Sequence, residues 1–145
     1  MKKSLRCICA ALFMLAFCTG FVIHASAVER ASLYLTRYSA TVSASNNGAI
    51  EMSIFVVANK RVSELGASYI LLEESDDGGK TWSTAREYEG QSWMTAENRS
   101  TYSRTLSYPG TIGHQYRVTA EVFAKDANGG DSRTTPTSPV VTAKR

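Results

Sequence analysis

The sequence predicts an all-β domain, a seven-stranded antiparallel β-sandwich behind a cleaved export signal. Three observations carry this. Val, Ile, Thr, Ser and Tyr recur in short runs separated by Gly, Asn and Asp clusters. Within the runs apolar and polar residues alternate with period two, most clearly along Ile50-Met52-Ile54-Val56 and Tyr116-Val118-Ala120-Val122. No window of a dozen residues carries a helical stripe.

The elements follow in order. Tyr38 to Ser45 alternates and reads as a first strand. Asn46-Asn47-Gly48 is a tight turn, because Asn and Gly take positive φ at low cost. The strand from Ile50 to Val56 has one buried face. Residues 59–63 read as a polar loop. Ala67 to Glu74 is a third strand, with Ile70 and Leu72 on one side and Tyr69 and Leu71 on the other. Residues 75–81 form a turn, and Trp82 to Tyr88 returns from it. Residues 90–100 are polar and irregular, a loop or a single helical turn. Thr101 to Tyr108 is a short strand ending at Pro109-Gly110. Gln115 to Lys125 is the clearest strand. Residues 126–131 form a turn, and a last strand lies within 134–143, approached through Pro136 and Pro139.

The first residues read as a targeting segment. Lys2, Lys3 and Arg6 form a basic head, an uncharged apolar run extends from Cys7 to Ile23, and Ala25-Ser26-Ala27 supplies a signal-peptidase site. Two alternatives are weaker. The run is at the low limit for a retained membrane anchor. Lipidation at Cys18 would want a small residue where Phe17 stands. Cleavage after Ala27 removes 27 of 145 residues and leaves 118, enough for one core. The expected organisation is a signal at 1–27, an extended segment at 28–37 and the sandwich at 38–145. Cys7, Cys9 and Cys18 all leave with the signal, so packing alone must hold the domain. Three of the 16 basic residues leave too, and the remaining 13 balance 13 acidic ones. A neutral domain argues against nucleic acid or an anionic membrane as partner. The chain ends at Thr142-Ala143-Lys144-Arg145 with no apolar tail, which favours release over wall attachment.

The strand number and spacing suit an immunoglobulin or fibronectin type III sandwich. Gly113-His114-Gln115-Tyr116 looks like a tyrosine corner, in which a Tyr near the start of the penultimate strand bonds back to the preceding loop. A tryptophan expected on the second strand of fibronectin type III modules is missing. Beyond fold, the chain resembles a family of small secreted bacterial proteins classed as a domain of unknown function, seen largely in Gram-positive anaerobes. The residues that carry this are Arg30-Ala31-Ser32, Tyr38-Ser39-Ala40-Thr41-Val42, Gly66-Ala67, Trp82, Gly113 with Tyr116, and Phe123-Ala124-Lys125 running into Gly129-Gly130-Asp131-Ser132-Arg133. The resemblance implies a sandwich and an exported setting, and implies no activity.

Ser75-Asp76-Asp77-Gly78-Gly79-Lys80-Thr81-Trp82 fits the Asp-box pattern S-x-D-x-G-x-T-W. Its chemistry is structural: Ser and Asp oxygens accept from turn amides, and glycine supplies positive φ. Asp-boxes recur in sugar-active propellers, but one box in a chain this short makes no propeller. Asp126-x-Asn128 invites a calcium reading. However, the fifth and twelfth loop positions hold Gly130 and Thr137, so a hairpin turn is the better reading. No cofactor or metal is expected. Catalysis has little support, since the mature domain holds one histidine, His114, and no G-x-S-x-G or H-E-x-x-H. Glu73 and Glu74 are adjacent on a strand and point to opposite faces, so they cannot flank one glycosidic bond.

The strand phases leave Tyr69, Leu71 and Phe123 on one outward face, with Arg117, Thr119 and Glu121 beside them. Apolar surface rimmed by charge marks binding sites. The expected function is therefore a secreted, non-enzymatic module that binds a protein or its own copies, with Tyr69, Leu71, Phe123 and Arg117 as the candidate surface. The alternative is carbohydrate binding through Trp82, Trp93 and Tyr88. A glycoside-active enzyme is a distant third.

Overall fold

A computed structural model describes residues 33–145. The expected export signal, residues 1–27, lies outside them. All seven strands pair antiparallel in one continuous sheet. They are β1 (Leu35–Ala44), β2 (Ala49–Ser75), β3 (Ser83–Glu89), β4 (Thr95–Pro109), β5 (Gln115–Asp126), β6 (Gly129–Thr134) and β7 (Val141–Thr142). The fold is therefore all-β, as the alternation predicts. The first strand begins at Leu35, earlier than the Tyr38 where the polar–apolar pattern becomes regular.

The organising element is β2, whose 27 residues serve both halves of the sheet. Its first half lies between β1 and β4, in registers Ile54↔Ala40 and Ile54↔Arg104. Its second half lies between β5 and β3, in registers Ile70↔Ala120 and Ile70↔Tyr88. The sheet thus curls on itself into a half-barrel, and its concave side is the core. Ile50, Met52, Ile54 and Val56 from the first half are fully buried, as are Ile70, Leu72, Tyr116, Val118 and Val122 from the second. Each such side chain contributes about 1.5–3 kcal/mol of hydrophobic stabilisation.

The polar loop expected at residues 59–63 is not a loop. β2 runs through it, with a large bulge. Between the pairs Val57↔Thr101 and Val62↔Arg99, β2 has residues 58–61 where β4 has only Ser100. The polar side chains here point outward and hold the bend in place. Arg61 donates to the Asn98 carbonyl, and Asn98 takes positive φ. Lys60 reaches Asp126 at 2.7 Å, which also accepts from Tyr34 Oη at 3.0 Å. The polar composition thus marks a strand corner rather than a break.

The C-terminal strand also differs from expectation. Asp126-Ala127-Asn128-Gly129 closes a two-residue hairpin, so Gly129 to Asp131 belongs to β6 rather than to the turn. Pro136 and Pro139 interrupt the strand beyond it. Two buried hydroxyls fill the gap in the ladder: Thr135 Oγ1 accepts from Ala120 N at 3.0 Å, and Ser138 Oγ accepts from Val118 N at 2.9 Å. Side chains thereby satisfy amides that β5 would otherwise leave unpaired in the core.

Tyr116 forms the predicted corner. Its ring is fully buried, and its hydroxyl accepts from Thr111 N at 2.8 Å. The same hydroxyl donates to Glu74, whose carboxylate also contacts His114 Nδ1 at 2.7 Å. Burial works to raise the Glu74 pKa, but the hydrogen bonds from Tyr116 and His114 outweigh it and hold the carboxyl below the ordinary glutamate value.

Candidate functional site

The outer surface of the β3–β2–β5 half follows directly from register. Residues paired directly across antiparallel strands share a face. Leu71 pairs with Thr119 on β5 and Glu87 on β3; Tyr69 pairs with Glu121 and Glu89. Both apolar side chains are half-buried and lie outside the core cluster. Tyr69 Oη donates to Glu87 Oε1 at 2.7 Å. That hydrogen bond, burial and the charges of Glu87, Glu89 and Glu121 all raise the Tyr69 pKa.

The other two residues of the expected surface lie apart from this pair. Phe123 is on the same side of β5, but its register partner is Gly66, which offers no side chain. It lies beside the β5–β6 hairpin with the Lys125 ammonium 5.4 Å from its ring centre. Arg117 sits at the opposite end of β5. It grips Glu73 through two hydrogen bonds of 2.7 and 3.0 Å. Its guanidinium also lies 4.2 Å above the Trp82 ring. Glu73 and Glu74 do diverge to opposite faces, one to Arg117 and the other to the corner.

The aromatic residues of the sugar reading are placed differently from each other. The helical turn Ser92–Met94 buries Met94 and lays Trp93 against the core, edge-on to Tyr88 at 5.5 Å. Tyr88 is turned inward by a bulge in β3. The pairs Glu73↔Thr84 and Leu72↔Arg86 skip Ala85, which shifts every later residue of β3 by one. Without that bulge Tyr88 would face Tyr69; with it, Glu87 and Glu89 do. Each of the three rings is covered by an arginine: Trp82 by Arg117, Tyr88 by Arg86 at 5.5 Å, and Trp93 by Arg104 at 5.3 Å.

A shallow groove of about 510 Å³ runs over this region, where Tyr69, Glu87, Glu89 and Trp93 meet. The glutamates are the residues that sequence reasoning missed on this face. Their alternation with Tyr88 is visible, but the one-residue bulge that assigns them a side is not.

The Asp-box turn is built as its pattern requires. Asp77 accepts from Lys80 N, Thr81 N and Thr81 Oγ1 at 3.0, 2.9 and 2.7 Å. Ser75 Oγ accepts from Gly79 N at 2.8 Å, and Trp82 Nε1 donates to the Gly79 carbonyl at 3.1 Å. Gly78 and Gly79 take positive φ. The hydrogen bonds from Thr81 and Ser75 hold the Asp77 pKa down at about 2. A folded-state pKa below the unfolded one stabilises at higher pH. This contribution is therefore present above pH 3.8 and lost as pH falls through about 2. Acid unfolding of Asp77→Ala, followed by tryptophan fluorescence, is expected to lack this part of the pH dependence.

Asp126 likewise serves its own turn, accepting from Asn128 N at 2.8 Å while paired with Lys60. Among the described residues, no three His, Cys, Asp or Glu side chains converge as a metal site. Compared with known protein families and with curated proteins, the sequence finds no match.

Proposed function

We propose that the protein is a secreted, non-enzymatic interaction module that binds through the outer face of the β3–β2–β5 half. The observation that carries this reading is the pair Tyr69 and Leu71, held half-exposed between rows of charge on a rigid, paired sheet. The basic head, apolar run and Ala25-Ser26-Ala27 support export. The groups a hydrolase would need are engaged structurally: Glu73 with Arg117, Glu74 with Tyr116 and His114, and Asp77 within its turn. The three arginine-covered rings favour a protein partner over a sugar, because a saccharide would have to displace a guanidinium before stacking.

We further infer an immunoglobulin or fibronectin type III relationship. It is supported by the neighbours β1-β2-β4 in one half and β3-β2-β5-β6 in the other. The likeness to exported proteins of Gram-positive anaerobes fits this reading and adds no activity to it.

Peptide-array and glycan-array binding by the purified protein tests the function. The expected result is peptide binding that disappears in Tyr69→Ser/Leu71→Ser, with thermal stability nearly retained. Glycan binding that disappears on Trp93→Ala, with no peptide binding, would replace this reading by the carbohydrate one.

A further inference from the structure

Three carboxylates surround the apolar pair, none of them in an ion pair among the described residues. Glu89, Tyr69 and Glu121 form one row across three strands, and Glu87 follows in the Leu71 row. Two strand spacings put Glu89 and Glu121 about 10 Å apart at the backbone, close enough for their charges to be only partly screened. Among the described residues, none of the three has a cation within 4.0 Å; ion pairs elsewhere include Lys60–Asp126, His114–Glu74, Arg117–Glu73 and Lys125–Glu64. Arg86, the one basic residue of β3, lines the same groove as Glu87 and Glu89 and lies over Tyr88. The mature sequence as a whole is balanced, so the excess of negative charge here is a matter of placement. The Tyr69 pKa is raised first by its hydrogen bond to Glu87 and by burial, and the charges of Glu87, Glu89 and Glu121 add to the same direction.

We propose that this face docks a cationic peptide segment in extended form, with basic side chains set against Glu87, Glu89 and Glu121 and apolar ones against Tyr69 and Leu71. The proposal rests on the reading of this face as the binding surface, and adds the chemistry of the partner. The charges stand on both sides of Tyr69 and Leu71, on β3 and on β5, so a segment lying over the apolar pair has basic side chains within reach of Glu87 and Glu89 on one side and of Glu121 on the other. Charge selects against the other occupants. Nucleic acid, acidic polysaccharide and anionic lipid are repelled, and a neutral sugar gains nothing from three carboxylates. A second copy is a poor complement. The outer side of the β1–β2–β4 half presents hydroxyls in rows, such as Thr41, Ser53 and Thr105, with Arg37 over Phe55 and Glu51 close by.

Fluorescence anisotropy with the purified exported protein tests this, using three labelled peptides of alternating Lys and Leu, Ser and Leu, and Glu and Leu. The Lys–Leu peptide is expected to bind about tenfold or more tighter than the Glu–Leu peptide, with the difference shrinking as salt is raised. Glu87→Gln/Glu89→Gln/Glu121→Gln is expected to lose that advantage while melting at the same temperature or higher, because mutual repulsion is relieved. Equal binding of the Lys–Leu and Glu–Leu peptides, or an unchanged advantage in the triple variant, overturns the proposal. If the Ser–Leu peptide binds wild type and triple variant alike and is lost only in Tyr69→Ser/Leu71→Ser, the face remains the docking site and its cationic preference falls. If neither set of substitutions alters any binding, both readings fall.

Discussion

Replacing Gly66 by alanine is expected to lower the midpoint of thermal unfolding by on the order of 10 °C, the equivalent of about 3 kcal/mol. At Gly66, β2 is flanked by Thr95 of β4 and Phe123 of β5, at the point where it passes from one half of the sheet to the other. A methyl group there would lie 2.1 Å from the Met94 carbonyl oxygen and 2.8 Å from Thr95 Cα. Both obstacles are backbone, and Met94 is itself buried. Relief requires β4 to separate from β2 at the corner that joins the halves. Gly90→Ala is the comparator, since no atom lies within 4 Å of its Cβ position. It meets only the cost of positive φ, about 1–2 kcal/mol. Differential scanning calorimetry of the two variants checks the ranking. Equal, small shifts would mean that the crossing at Gly66 is looser than described.

Tyr116→Phe is expected to cost about 1–3 kcal/mol, although it removes only one oxygen from a filled site. That oxygen accepts from Thr111 N and donates to Glu74. Its loss leaves a backbone donor and a carboxylate short of a partner in a partly buried place. Chemical denaturation at neutral pH measures the loss. The pH profile provides a second signature. Because the folded Glu74 pKa lies below the ordinary 4.5, its carboxylate stabilises the fold above that pH and ceases to do so as pH falls below it. The Phe variant, lacking one of the bonds that depress this pKa, should lose less stability over the same acid range. A profile parallel to that of wild type would contradict the Tyr116–Glu74 link.

What could be read in advance, and what could not, divides along physical lines. Period-two alternation determined which side of each strand is buried. Ile50 to Val56, Ile70 with Leu72, and Tyr116 to Val122 all face the core as the pattern requires. Local turn chemistry was equally legible, because the Asp-box and the tyrosine corner are defined within a few residues of sequence. Bulges were not legible. Asn59, Lys60 and Arg61 look like a loop because they are polar. Yet a strand that leaves one partner while keeping the other needs exactly such an outward-facing stretch to turn on. The skipped Ala85 carries no compositional mark at all, and it decides whether Tyr88 or Glu89 accompanies Tyr69. The placement of Trp93 was equally unmarked: a polar neighbourhood in sequence says little about how one helical turn rotates its middle residue. The strand phases thus place Tyr69 and Leu71 together on the outer side of β2, whereas Phe123 and Arg117 lie apart from them and the glutamates of β3 beside the pair depend on the unmarked bulge.

The unbroken course of β2 has a consequence for survival among peptidases, the surroundings proposed for an exported protein. Many two-layered β domains connect their halves through a loose segment, and cleavage there severs the layers. Here the covalent bridge is itself laced on both edges, to β4 and β5, where it crosses. Enzymes that require a slack, extended substrate would be left with peripheral sites such as residues 90–92 and 110–114. A cut at either would leave a nicked molecule whose two halves still hang on one intact ribbon.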